Sequence, residues 1–127
     1  MENVYKKDGT LVNLLQDTDM EYGSNEHGNY IKYSNGLMVQ YGTVYKNIVI
    51  SNPTAMLYYD DGYVVELPQE FVGGYSANII SSQREKILWV YSTSDFTSNM
   101  FKFNLLSNAI QEGSRIPFDW FAIGRWK

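Results

Sequence analysis

The chain has 127 residues, no cysteine, and a formal net charge of −4 from 10 basic and 14 acidic side chains. That balance argues against a phosphate-backbone binder, which needs a basic stripe, and without cysteine there is neither a disulfide nor a thiolate metal site. No apolar run approaches the ~18 residues of a membrane span, and the opening MENVYKKDGT lacks the apolar centre of a signal peptide. The expectation is one soluble domain, not exported by a signal peptide, with no membrane insertion and no nucleic-acid partner; the missing cysteine leaves the compartment open, since such a chain can be assembled in the cytoplasm and work outside the cell.

The first 27 residues read as an N-terminal stem or linker. They hold one candidate hairpin around Asp8-Gly9 and then a polar, acidic stretch; a weak amphipathic helix over Leu11–Met20 is the alternative. Composition shifts near Ser24–Gly28, so residues 28–127 are expected to form the folded domain. It opens with GNYIKYSNGLMVQYGTVY, in which Asn35-Gly36 is the favoured two-residue hairpin turn. That turn would set Lys32 opposite Val39 and Tyr30 opposite Tyr41. Both faces of the hairpin then carry apolar groups, which calls for a second layer or a neighbouring subunit.

NIVIS (47–51) reads as a short strand ended by Asn52-Pro53, and Asp61-Gly62 as a second hairpin turn between Met56–Tyr59 and Tyr63–Leu67. Pro68 ends that strand, and Gly73-Gly74 breaks the chain. Strands follow at 75–81 and 86–92, then a hydroxyl-rich loop at 93–99. A strand at 100–106, a loop at 107–115 and a final strand at 117–126 complete the chain. Recurrent short strands without a convincing helix predict an all-β, antiparallel β-sandwich or barrel of about six to eight strands. Aromatic content is 16%, with 11 tyrosines, and strand propensity accounts for most of it.

Catalytic constellations are missing. The single histidine, His27, lies between Glu26 and Gly28 with nothing in the local sequence to orient it, and reads as a surface residue without a role. There is no Gly-rich phosphate loop and no G-x-S-x-G. Asp60-Asp61 lacks the alternating oxygens of a calcium loop, and nothing favours an acid pair for sugar hydrolysis. The expectation is a protein that is not an enzyme, with no cofactor and no metal.

What remains is surface chemistry. Tyr and Trp beside Asp, Asn and Ser can hold sugars, the rings packing on apolar C–H faces and the polar groups taking hydroxyls. Tyr58, Tyr59, Asp60 and Asp61 form one such group; Trp89 and Tyr91, near Asp95, form another. The structural alternatives are an ordinary hairpin turn at Tyr58–Asp61 and a core position for Trp89.

In the last strand Phe118, Trp120, Ala122, Gly124 and Trp126 point one way, and Asp119, Phe121, Ile123, Arg125 and Lys127 the other. Large apolar groups on both faces suggest burial by other copies of the chain. Arg125 needs a carboxylate or carbonyl partner there. Tyr33, Met38, Trp120, Phe121, Ile123, Arg125 and Trp126 are the candidate interface residues.

GNYIKYSNGLMVQYGTV and WFAIGRWK resemble the two ends of the C-terminal domain of bacteriophage tail-fibre proteins. That family opens with Gly-Tyr-apolar-Lys-aromatic, an Asn/Asp-Gly turn and an apolar-Gln-aromatic-Gly strand. It closes with Trp-x-Ala-Ile-Gly-Arg-Trp. The apolar-Pro-x-x-Phe step is present at Leu67, Pro68 and Phe71. The resemblance covers about 28–45, 64–71 and 117–127, and the ending is its specific part. It implies a compact β-sandwich similar to the H-type lectin fold, a homotrimer at a fibre tip on the virion, and binding to a bacterial surface glycan or other envelope receptor. Other tail or baseplate proteins are implied as partners, and a chain this short would be a short fibre, a separate tip protein or a truncated product. The alternative is a structural tail or baseplate piece that caps or trimerises a fibre without binding a receptor. A depolymerase is the third reading, against which the missing acid pair counts.

Overall fold

A computed structural model describes residues 4–5, 11–12, 20–81 and 87–127. Strands β1 (Val4–Tyr5) and β2 (Leu11–Val12) pair antiparallel, Val4 opposite Val12 and Tyr5 opposite Leu11, and the hairpin turn expected at Asp8-Gly9 lies outside the described residues. Of the alternative helix, Leu11, Val12 and Met20 lie in strands, and 13–19 lie outside the described residues. The remaining strands are β3 (Met20–Asn25), β4 (Gly28–Tyr33), β5 (Leu37–Ile50), β6 (Asn52–Thr54), β7 (Leu57–Glu66), β8 (Ser76–Ser81), β9 (Leu88–Thr97), β10 (Met100–Ser107) and β11 (Gln111–Arg125). They make two antiparallel sheets packed as a sandwich, one of five strands in the order β3-β4-β5-β11-β8 and one of four in the order β6-β7-β10-β9. No helix occurs among the described residues. The strand count exceeds six to eight partly because β3 forms inside the stretch read as stem or linker, pairing with β4 from Met20 opposite Tyr33 to Asn25 opposite Gly28.

β5 and β11 form the spine, paired from Leu37 opposite Arg125 to Ile50 opposite Gln111. NIVIS is therefore the end of a 14-residue strand and not a separate one. The segments 93–99 and 107–115 likewise contain strand: β9 runs on to Thr97 and β11 starts at Gln111. At Ser51 the chain passes from the five-stranded to the four-stranded sheet, where Pro53 sits opposite Tyr58 on the edge strand β6, a position in which a proline is tolerated.

Alternation sends one face of each spine strand inward. Met38, Ile48 and Ile50 of β5 and Ile116, Phe118, Trp120 and Ala122 of β11 meet Val65 of β7 and Phe101, Phe103 and Leu105 of β10. Phe103 and Phe118 bridge the sheets with centroids 4.8 Å apart. Burial of each such side chain stabilises by roughly 1.5–3 kcal/mol. Met38 and Trp120, expected at a subunit interface, are 0% and 3% exposed and belong to the chain's own core.

The first hairpin has a register one residue away from the expected one. Tyr30 lies opposite Gln40 and Lys32 opposite Met38, because the loop has three residues: Gly36 N–H bonds Tyr33 C=O at 2.9 Å and Gly36 takes φ +99°. A one-residue slip exchanges the faces, so Gln40 points inward and Val39 and Tyr41 outward.

The chain's aromatic ending locks this loop. Arg125 Nη2 donates to Asn35 C=O at 3.0 Å, Trp126 Nε1 to Tyr33 C=O at 2.8 Å, and Trp126 N–H to Gly36 C=O at 2.9 Å. A Cβ on Gly36 would lie 2.3 Å from Arg125 Nη2. On the other side, Gly124 lets Phe71 and Tyr75 approach, and Val72 N–H bonds Arg125 C=O at 2.8 Å. Arg125 thus finds carbonyl partners within its own chain.

Candidate functional site

Asp61-Gly62 is a bulge and not a hairpin turn. On β10, Phe103 faces Tyr63 and Leu105 faces Asp60, so Asn104 spans both Asp61 and Gly62, the latter at φ +88°. The extra residue changes the parity of β7. Before it, Tyr59 and Asp61 point outward; after it, Tyr63 and Val65 point into the core. The turn expected at Asp61-Gly62 lies instead at Ala55-Met56, between Thr54 and its partner Leu57.

Strand β9 has a matching irregularity. Asn104 faces Ser92 while Leu105 faces Val90, which leaves Tyr91 as the extra residue. Asn104 is the hub of both bulges: its Oδ1 accepts from Gly62 N–H at 3.0 Å and its Nδ2 donates to Ser92 Oγ at 2.9 Å. β7 and β9 are separated by β10, roughly 9–10 Å in strand spacings. The two bulges nevertheless bring Asp61 and Tyr91 together above it, and Tyr91 Oη donates to Asp61 Oδ1 at 2.5 Å. Asn104 is 7% exposed beneath this arch.

Beside the arch lies an open depression of about 600 Å³, lined by Thr54, Ala55, Leu57, Tyr59, Asp61, Tyr91 and Leu106. Trp89 pairs with Leu106 in the row that also carries Tyr59, and it is 40% exposed, so it is a surface residue and not a core one. The Tyr91 hydroxyl is pushed up to about 12, first by its hydrogen bond to Asp61 and then by partial burial. The phenol therefore keeps its proton, which stays directed at Asp61 Oδ1.

The two residue groups expected from the sequence thus converge in part. Tyr59, Asp61, Trp89 and Tyr91 share one outer face. Tyr58 packs against the core, and Asp60 accepts from Tyr63 Oη at 2.5 Å beneath the sheet. Tyr63 is also pushed up to about 12, chiefly by burial. Asp95 is held by Lys102 Nζ at 3.7 Å and has φ +51°. The edge residues Thr54 and Leu57 and the hub Asn104 carried no sequence signal, since only the strand order places them here. The groove offers ring faces, hydroxyls and one carboxylate, which suits holding a hydroxylated ligand.

His27 is better placed than its sequence context suggests. It sits in the β3–β4 turn with Nδ1 3.3 Å from Glu66 and Nε2 3.5 Å from Glu26. These residues line a second depression of about 290 Å³ with Thr43, Val44, Lys46 and Val64. The outer face of the five-stranded sheet carries an apolar patch at one end, while Thr43 and Asp119 farther along hydrogen-bond at 2.6 Å. One row carries Tyr22, Ile31, Val39 and Ile123, and the next carries Tyr41 and Phe121. Phe121 is 51% exposed.

No family model matches the chain and no curated protein matches it. Among solved structures it is similar to the C-terminal part of the P. aeruginosa R1 pyocin fibre, at 16% identity and a TM-score of 0.49, over 83% of this chain and 28% of that one. It is also similar to an N-truncated R1-type pyocin tail fibre, at 15% identity and a TM-score of 0.40, over 83% of this chain and 84% of that one.

Proposed function

We propose that this chain is the receptor-binding tip of a bacteriophage tail fibre, working on the virion as a homotrimer and holding a bacterial surface saccharide in the groove of β6, β7, β9 and β10. The observation that carries the binding reading is the groove itself: the half-buried ring of Tyr59 and the exposed ring of Tyr91 line it beside the exposed Asp61 carboxylate, and the exposed ring of Trp89 continues the same face. The tail-fibre reading is supported by the motif resemblance at the two ends of the domain. Those two stretches form adjacent strands, with Arg125 and Trp126 bonded to the Tyr33–Gly36 loop. The trimer reading is supported by the open apolar face around Phe121 and Ile123. Three weak sites on one tip would raise avidity without new contacts.

The test is saturable binding of the intact chain to whole cells from a strain panel and to surface glycans printed on an array. Trp89→Ala with Tyr59→Ala is expected to lower binding while leaving the fold intact, since Trp89 is exposed and Tyr59 is half-buried on the outer face, outside the core. Binding that is absent or unchanged by the pair would remove the groove from the reading and leave the structural fibre piece. Light scattering at low micromolar concentration is expected to give the mass of three chains; a monomer would remove the trimer.

A further inference from the structure

The groove has an asymmetric stock of donors and acceptors. A neutral sugar hydroxyl both donates and accepts, and a site matched to it offers both. Here the centre only accepts. The single hydrogen of Tyr91 Oη is committed to Asp61 Oδ1, so the phenol oxygen faces the groove as an acceptor. Asp61 Oδ2 has no protein partner among the described residues, and an ionised carboxylate cannot donate. Only the Thr54 and Tyr59 hydroxyls can still give a proton, from the groove's edge strand and from β7.

Charge points the same way. Among the described residues, no Lys, Arg or His lines the depression. Lys102, two positions before Asn104 on β10, is engaged by Asp95 at 3.7 Å. Among the described residues the carboxylate therefore stands without a cation, next to aromatic rings whose faces attract positive charge. The chain as a whole is at −4, so an acidic sugar gains nothing from longer range either.

Resting on the saccharide reading above, we infer that the sugar recognised in this groove carries a protonated amine. The ammonium donates to Asp61 Oδ2 and to Tyr91 Oη, and its charge lies against the Tyr59 and Tyr91 rings. An ammonium brings three donors and no acceptor, which complements this centre. N-acetylation removes the charge and two of those donors, and adds a carbonyl that faces other acceptors.

The experiment is calorimetric titration of the intact chain with short oligomers of glucosamine and of galactosamine, each beside its fully N-acetylated counterpart of the same length. The free amines are expected to bind about tenfold or more tightly than the acetylated forms, the worth of one charge-assisted contact. Asp61→Asn should abolish that preference. Glu70→Gln removes the same charge from an exposed position outside the groove, and should preserve it. Equal binding of amine and acetyl forms overturns the inference and leaves the saccharide reading standing. A preference that survives Asp61→Asn, or that falls equally in Glu70→Gln, reduces it to general attraction of a polycation and also overturns it. Binding of neither form overturns both readings of the groove.

Discussion

Gln40 offers a sharp test of how the sandwich end is closed. Its side chain is 0% exposed, with Nε2 donating to Gln69 C=O at 3.0 Å and Oε1 accepting from Gln69 N–H at 2.9 Å. One amide thus holds both backbone groups of a residue in the 67–75 connection. Gln40→Met keeps the volume and deletes both bonds. Each backbone group left without a partner costs about 1–3 kcal/mol when dry. Gln69 is half-buried, and water reaches part of it, so the lower end applies and the pair should cost about 2–3 kcal/mol. Gln40→Ala adds a cavity and should cost about 1–2 kcal/mol more. Against a total stability of about 5–15 kcal/mol, the Met variant should melt roughly 5–15 °C lower. Urea unfolding followed by circular dichroism measures the loss, and hydrogen exchange at the Gln69 amide localises it. A Met variant within about 0.5 kcal/mol of the parent, with Gln69 still protected, would refute the idea that these two bonds hold the connection down.

Three further outcomes are expected. Gly124→Ala sets a Cβ 2.7 Å from Tyr75 Cβ and 2.8 Å from Phe71 Cδ1, an overpacking that should cost about 1–3 kcal/mol in denaturant unfolding; no loss would mean that the 71–75 connection yields freely. Ala55 has φ +49° at the β6–β7 turn, where a left-handed conformation costs an alanine about 1–2 kcal/mol, so Ala55→Gly should raise stability by up to about 1 kcal/mol after the glycine's extra unfolded-state entropy. A lower melting temperature would contradict it. The Tyr91 hydroxyl titrates at about 12 in the folded chain against an ordinary 10.0. The folded state holds this proton more tightly, so the stabilisation from its contact is whole below the ordinary value and is lost as pH rises through about 12. Ultraviolet titration of tyrosinate should show late-titrating tyrosines, with one moving earlier in Asp61→Asn; an unchanged curve would count against the Tyr91–Asp61 bond.

Strand alternation made much of the fold legible. The two faces of the final strand follow directly from its residues, and Phe118, Trp120 and Ala122 are buried as that pattern requires. What alternation could not tell is what covers the other face, so Phe121 and Ile123 read alike whether a second layer or a second chain lies over them. Glycine turns were legible as places and not as geometries. Asn35-Gly36 does bend the chain, but Gly36 serves as the third residue of a longer loop, and that single position reverses the faces of the hairpin. Asp61-Gly62 carries the same local chemistry as a hairpin turn, yet a left-handed glycine serves a bulge equally well. Only the pairing partner, β10, decides between them. The site was visible as two residue groups because aromatic and acidic side chains cluster in sequence. Their union was not, because it depends on β10 lying between β7 and β9 and on Asn104 pinning a bulge in each.

The place of β11 in its sheet has a consequence for synthesis. It lies between β5 and β8, pairing Phe118–Ile123 with Ser76–Ser81 along one edge and its whole length with Leu37–Ile50 along the other. The ribosome makes both neighbours first. While the later codons are being read, β5 has a long bare edge and β8 has no partner in its sheet, the condition under which strands pair with the wrong chain. The five-stranded sheet therefore closes in one late step, when β11 slides between two waiting edges and Trp126 reaches back to the Tyr33–Gly36 loop. Expression yield should accordingly be governed less by the stability of the finished sandwich than by how long the nascent chain must wait for its final strand.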